Sequence, residues 1–270
     1  MISDMDNALP SFRVPSLPQW RELAMPKEHG SWSLALEPLM FGLIATPSIG
    51  GGWLALAVVA GFFARRPMRI AYRDKDAARR LDAFAVLVVC SLCALFAFAM
   101  AMHVAGTSWL WWLAPSAIAG GVFVTFDLRN GGREEVAEIA GSSAFAFLPA
   151  ALAALNGVDS RIAFALAVVM CGRAVPTVLC VRAALRGAKT GIRRPVPALV
   201  AASAAVVASI ELVRHELAPV MAVVALVVLM VRAIVLLAYP RPPLRARTIG
   251  MIEAVLGVVF VIAVACSWSA

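Results

Sequence analysis

The sequence predicts an all-α protein that crosses a membrane about nine times, by the length each span requires. Three observations carry that prediction. The 270 residues are 62% hydrophobic and 15% charged, too few charges to cover the surface of a water-soluble domain. The apolar residues lie in long runs rather than at strand or amphipathic-helix spacing, so each run is apolar on every side. The basic residues gather between alternate runs, as the positive-inside rule requires of a multispan chain.

The elements follow in order. The first thirty residues are polar and proline-rich and show no apolar core of a signal peptide. Residues 1–24 are expected to form a polar, flexible extension in which Trp20 and Leu23 are suited to touch the membrane surface. A single transmembrane domain, 25–270, divides into spans at 32–50, 52–71, 83–103, 109–127, 134–156, 161–182, 195–213, 217–239 and 248–268. The uncharged part of the second ends at Ala64. Its inner end must therefore project into the headgroups, with Pro67 bending it.

Orientation comes from the loops. Arg65, Arg66, Arg69, Arg73, Lys75, Arg79 and Arg80 follow the second span, and Arg129 and Arg133 the fourth. Arg182, Arg186, Lys189, Arg193 and Arg194 follow the sixth, and Arg241, Arg245 and Arg247 the eighth. These loops share one side, assigned to the cytoplasm, which puts the amino terminus inside and the carboxyl terminus outside. Tryptophans agree: Trp53, Trp109, Trp111, Trp112 and Trp268 fall at outer ends and Trp32 at an inner end. The net charge of +8 thus reads as topology rather than as a nucleic-acid footprint. Cys90, Cys93, Cys171, Cys180 and Cys266 all lie in apolar runs and are expected to be small buried core residues.

Charges inside the spans are the functional signal, because each is costly in lipid and needs a partner or a task. Glu37, Glu138, Arg173, Arg232 and Glu253 are the candidates. At 1.5 Å per residue the three glutamates lie roughly 7 Å from the cytoplasmic ends, Arg232 roughly 10 Å and Arg173 roughly 13 Å. All belong to one half of the membrane, which points to a polar cavity open to the cytoplasm. Arg232 and Glu253 sit at similar depth on consecutive antiparallel spans and are expected to pair. Pro176, three residues after Arg173, frees a helix carbonyl beside it. A structural role for these charges, paired or snorkelling, stands beside the functional one.

Three further groups lie at the cytoplasmic ends. Arg66, Arg69 and Arg73 are spaced to share one helix face and could grip a phosphate or diphosphate, or serve only topology and anionic lipid. Asp74, Asp76 and Asp82 follow at once, suited to hold magnesium for a diphosphate or to pair with the arginines. Glu28 and His29 precede the first span at headgroup level, where a proton-transfer group would be useful, although a lone histidine is more often a polar contact. Glu134 and Glu135 suit the dipole of a helix start, and Glu138 is deep enough to enter the cavity.

Several stretches resemble the YwiC-like membrane proteins of bacteria: Met25 to Pro38 (MPKEHGSWSLALEP), Arg173 to Arg186 (RAVPTVLCVRAALR) and Arg245 to Gly257 (RARTIGMIEAVLG). The resemblance covers nearly the whole chain from Met25 onward and implies a multi-pass protein of the bacterial cytoplasmic (inner) membrane. It marks Glu28, His29, Arg173, Arg182 and Glu253 as motif positions. The topology is also similar to that of UbiA-type prenyltransferases, which implies a UbiA-like helical bundle with its cavity at the cytoplasmic side. That family uses two Asp-rich motifs and magnesium. Here Asp74 and Asp76 depart from the usual spacing, and the loop after the sixth span has no acid at all.

The resulting expectation is a charged cavity that binds an isoprenoid or other anionic lipid-soluble ligand. Glu28, His29, Glu138, Arg173 and Glu253 are the candidate catalytic residues. Glu37, Arg66, Arg69, Arg73, Arg182 and Arg232 would hold substrate, and Asp74 and Asp76 would hold magnesium. The alternatives are a carrier of a small anion or proton-coupled solute, and a non-catalytic assembly factor for a respiratory enzyme. The lipid bilayer is the expected partner.

Overall fold

A computed structural model describes residues 17–25, 29–129, 131–132, 134–191, 194–238 and 246–268. Among these, every regular element is a helix and no strand occurs. The helices are α1 (Leu17–Ala24), α2 (His29–Ala45), α3 (Ile49–Arg73), α4 (Ala77–Ala105), a 3-10 turn (Leu110–Leu113) leading into α5 (Ala114–Leu128), α6 (Glu135–Ala146), α7 (Leu148–Leu155), α8 (Ser160–Thr190), α9 (Val196–Arg214), α10 (Val220–Ala238) and α11 (Ala246–Trp268).

Eight of these segments are long and apolar enough to cross a membrane among the described residues: α3, α4, Leu110–Leu128, Glu135–Leu155, α8, α9, α10 and Arg247–Trp268. The apolar stretch of α2, Ala35–Ala45, is shorter. The chain is therefore a multi-pass membrane protein.

The helix ends have local causes. α2 was expected to reach residue 50 but stops at Ala45, because Pro47 disfavours a helical Thr46 and lacks an N–H. Ser48 then caps α3, its Oγ accepting from the Gly51 N–H at 3.0 Å. α6 and α7 were expected as one run; they break at Phe147, since Pro149 cannot donate to the Phe145 carbonyl. α8 continues eight residues past the expected 182, through good helix formers, until Gly191 takes a left-handed φ of 73°. At its other end the Asp159 carboxylate accepts the Arg161 N–H at 2.7 Å.

Packing divides the chain into two units, Met1–Lys27 with Leu56–Phe98, and Glu28–Ala55 with Ala99–Ala270. In the first, the expected flexible extension contains a helix, α1. Leu23 is buried against Ala83 and Val86, with Trp20 and Ile70 packed alongside. Glu22 pairs with Arg79 at 3.3 Å, and Arg66 donates to the Met25 carbonyl. Trp20 and Leu23 thus pack on residues of α3 and α4 of their own chain.

In the second unit α8 is the central helix, packed on α2, α6, α7, α9, α10 and α11. Neighbours in sequence pack as α5 on α6, α9 on α10 and α10 on α11, and α11 returns to lie on α2. Close approach depends on small residues, as is usual between membrane helices: a Cβ on Gly172 would meet that of Ala205 at 2.9 Å. Phe41 anchors the core, edge-on to Trp268 at 6.0 Å and beside Phe260. The expectation that all the cysteines are core residues needs correction. Cys180 is buried, whereas Cys93 and Cys266 are exposed on apolar helix faces and Cys90 and Cys171 are half-buried.

Candidate functional site

Four charged side chains meet inside the second unit, each from a different helix. Arg173 of α8 is 2% exposed, and its neighbours Glu37 of α2 and Glu253 of α11 are also buried. Arg173 Nη2 lies 3.4 Å from Glu37 Oε2, and Nη1 lies 3.7 Å from Glu253 Oε2. Nη2 also donates to the Glu253 carbonyl at 3.0 Å. The other Glu253 oxygen pairs with Arg232 of α10, as depth alone led us to expect. Glu253 is therefore shared between two guanidinium groups, and the set of two arginines and two glutamates is neutral.

Hydroxyl and thiol groups complete the network. Ser33 donates to Glu37, one turn along α2. Thr177 accepts from Arg173 and donates to the Arg173 carbonyl at 2.7 Å. Arg232 Nη1 donates to Cys180 Sγ at 3.5 Å. Gly257 of α11 lies against Glu37 of α2: a Cβ there would fall on the Glu37 carboxylate. Two of the helices carry prolines beside their charges, Pro38 after Glu37 and Pro176 after Arg173. Proline inside a membrane helix is tolerated where surrounding protein satisfies the freed backbone carbonyl.

A second cluster lies nine residues further along α8, about 13.5 Å at the helical rise. Arg182 pairs with Glu138 of α6 and lies 4.0 Å from Glu135, which Arg186 approaches at 3.9 Å. These groups are more exposed, 21% for the Arg182 side chain and 35% for Glu138, so solvent screens them more than the deeper set.

Between α8, α9 and α10 a crevice adjoins the deep network. Arg173, Thr177, Cys180, Ala202, Arg232 and Ala233 are among its lining residues. Its free volume is about 10 Å³, room for about one water molecule. Arg173 Nε is buried and has no hydrogen-bond partner among the described residues.

The remaining sequence candidates lie elsewhere. Arg66, Arg69 and Arg73 do share a face, because α3 continues through Pro67 to Arg73, but they belong to the first unit. Asp74 and Asp76 do not fit a magnesium centre. Asp74 Oδ1 accepts the Asp76 N–H at 3.1 Å, and Asp74 Oδ2 pairs with Arg79 at 3.4 Å. Asp76 Oδ1 accepts the Ala78 N–H at 3.0 Å, capping α4. Among the described residues no three His, Cys, Asp or Glu side chains gather as a metal set. Glu28 lies outside the described residues; His29 opens α2, and its side chain lies outside them too.

Sequence reasoning missed Ser33, Thr177, Cys180 and Gly257. Three of these stand four residues from a charge already singled out: Ser33 from Glu37, Thr177 from Arg173 and Gly257 from Glu253. The i, i+4 rule would have found them. It also missed Asp127, which closes α5, is 4% exposed and approaches Gly132. A position at the very end of an expected span hid it.

Residues 25–154 match the family model described as YwiC-like protein, a stretch that includes Glu37 and Glu138 and ends within α7. No curated protein and no solved structure matches the chain. From the approach to α2 through α7, residues 25–154, the chain is similar to the YwiC-like protein family.

Proposed function

We propose that this protein is a carrier of the bacterial cytoplasmic membrane that takes up a small anion together with a proton at the Arg173 network. The observation that supports this reading is a neutral set of four buried charges on four helices, with one carboxylate, Glu253, shared by two guanidinium groups. An incoming anion needs a guanidinium, and either arginine can offer one by releasing Glu253. Net charge in a low-dielectric site then stays at zero only if one proton arrives with each anion. The small crevice beside the network suits a small group better than a prenyl chain. The reading takes α2 as a ninth span, the amino terminus as cytoplasmic and the carboxyl terminus as external, on the strength of the basic loops. The Arg182–Glu138 pair then stands between the network and the cytoplasm.

Purified protein reconstituted into liposomes with a trapped pH indicator tests this. An inward gradient of a small anion is expected to acidify the lumen, and Glu253→Gln is expected to abolish the proton movement. Folded, monodisperse protein that moves no protons under any small-anion gradient would overturn the reading.

A second reading is favoured by one observation in the first unit. α3 presents Arg69 and Arg73 exposed on one helical face, suited to the acidic head of an isoprenoid or another anionic lipid. Native mass spectrometry tests it: a phosphorylated or isoprenoid lipid co-purifying with wild type and lost in Arg69→Ala/Arg73→Ala supports a UbiA-like lipid-binding protein. Lipid-free wild type removes that reading.

A further inference from the structure

We infer that the crevice between α8, α9 and α10 is a binding site for one monatomic, halide-sized anion. The inference rests on the proposed anion chemistry of the Arg173 network and gives it a place and an ion class. Size comes first. About 10 Å³ of free space suits one small sphere better than a polyatomic ion. Sign comes second. Two guanidinium side chains, Arg173 and Arg232, line the crevice, and among the described residues no carboxylate does. Glu37 and Glu253 hold the arginines from α2 and α11, outside the lining.

Donors come third. Arg173 is 2% exposed, and its Nε–H lacks a hydrogen-bond partner among the described residues. A buried, unpaired N–H on a cation is costly and is relieved by an acceptor in the adjoining space. Cys180 already accepts from Arg232 and keeps its S–H as a weak donor. Apart from Thr177, whose hydroxyl already bonds Arg173, the rest of the wall is apolar, with Ala202 on α9 and Ala233 on α10. A dry wall strengthens the attraction between an anion and the guanidinium pair. The cation-lined wall separates an anion from a plain water molecule, and the experiment decides between them.

Equilibrium binding of radiolabelled chloride to the detergent-purified full chain is the test, with gluconate holding ionic strength constant. One saturable site per chain is expected, displaced by bromide and not by sulfate. Ala233→Leu, which fills the crevice, is expected to weaken binding at least about tenfold. Its melting curve shows whether it still folds; Ala202→Val is the milder filling if it does not. Absence of saturable chloride binding to wild type, as for a crevice that holds water alone, overturns the assignment. So does full binding in a folded filled variant. The two proposals fail separately. Chloride binding without flux in liposomes removes the carrier and leaves the site; proton-coupled flux of a larger anion without chloride binding removes the site and leaves the carrier.

Discussion

Replacing Gly257 by alanine adds one methyl group at the place where α11 crosses α2. That methyl falls on the Glu37 carboxylate. Either the helices part or Glu37 swings away from Arg173, its partner at 3.4 Å. Overpacking of this kind costs about 1–3 kcal/mol. Loss of one partner from a buried ion pair costs about 3–5 kcal/mol when it is complete. Against these, Gly→Ala inside a helix contributes about 1 kcal/mol of stability. The net expectation is a destabilisation of about 2 kcal/mol. Gly250 is the control, on the same helix with open space around its added Cβ. Gly250→Ala should therefore be neutral or stabilising by up to about 1 kcal/mol. Thermal melts of both variants in one detergent measure the difference. A double-mutant cycle sharpens it: in a Glu37→Ala background the cost of Gly257→Ala should shrink by about 3 kcal/mol, because the clash is gone and only the helix-propensity gain remains. If Gly257→Ala stabilises the protein as Gly250→Ala does, the account of α2 lying on α11 through Glu37 is wrong.

The other predictions concern the charges and the caps. Arg173→Met removes the cation from two buried carboxylates and should cost about 3–5 kcal/mol, whereas Arg182→Met, at the more exposed cluster, should cost at most about 1 kcal/mol; equal melting shifts for the two would contradict the difference in burial. Asp76→Ala should cost about 1 kcal/mol through the lost cap of α4. Magnesium should not alter the melting of either form, and magnesium stabilisation of wild type alone would restore a metal role for the pair. Leu23→Ala should cost about 2–4 kcal/mol locally and raise hydrogen exchange across Leu17–Ala24; unchanged exchange there would mean that α1 does not depend on its contact with Ala83 and Val86.

Much of the architecture follows from the sequence because it is set locally. A run such as 83–103 is apolar on nearly every face, so helix formation in lipid satisfies its backbone groups without reference to any neighbour. Several boundaries were equally local and simply went unread. The Pro47–Ser48 pair ends α2 and caps α3, Pro149 splits α6 from α7, and Gly191 stops α8. The partnership of Arg232 with Glu253 was within reach because consecutive antiparallel helices at similar depth are neighbours by default.

Other features had no local signal. Depth along a helix says nothing about azimuth, so the sequence could place Glu37 and Arg173 in one half of the membrane without showing that they touch. That contact links residues 136 positions apart and exists because α11 folds back onto α2 while α8 runs through the middle of the unit. The magnesium expectation for Asp74 and Asp76 gave way for a related reason: a carboxylate next to a helix start meets free backbone N–H groups before it meets any ion. Residue type and depth were determined by the sequence itself, since lipid imposes the same requirement on every span. Which charges neutralise each other, and how little space remains beside them, was decided only by the packing of helices distant in sequence.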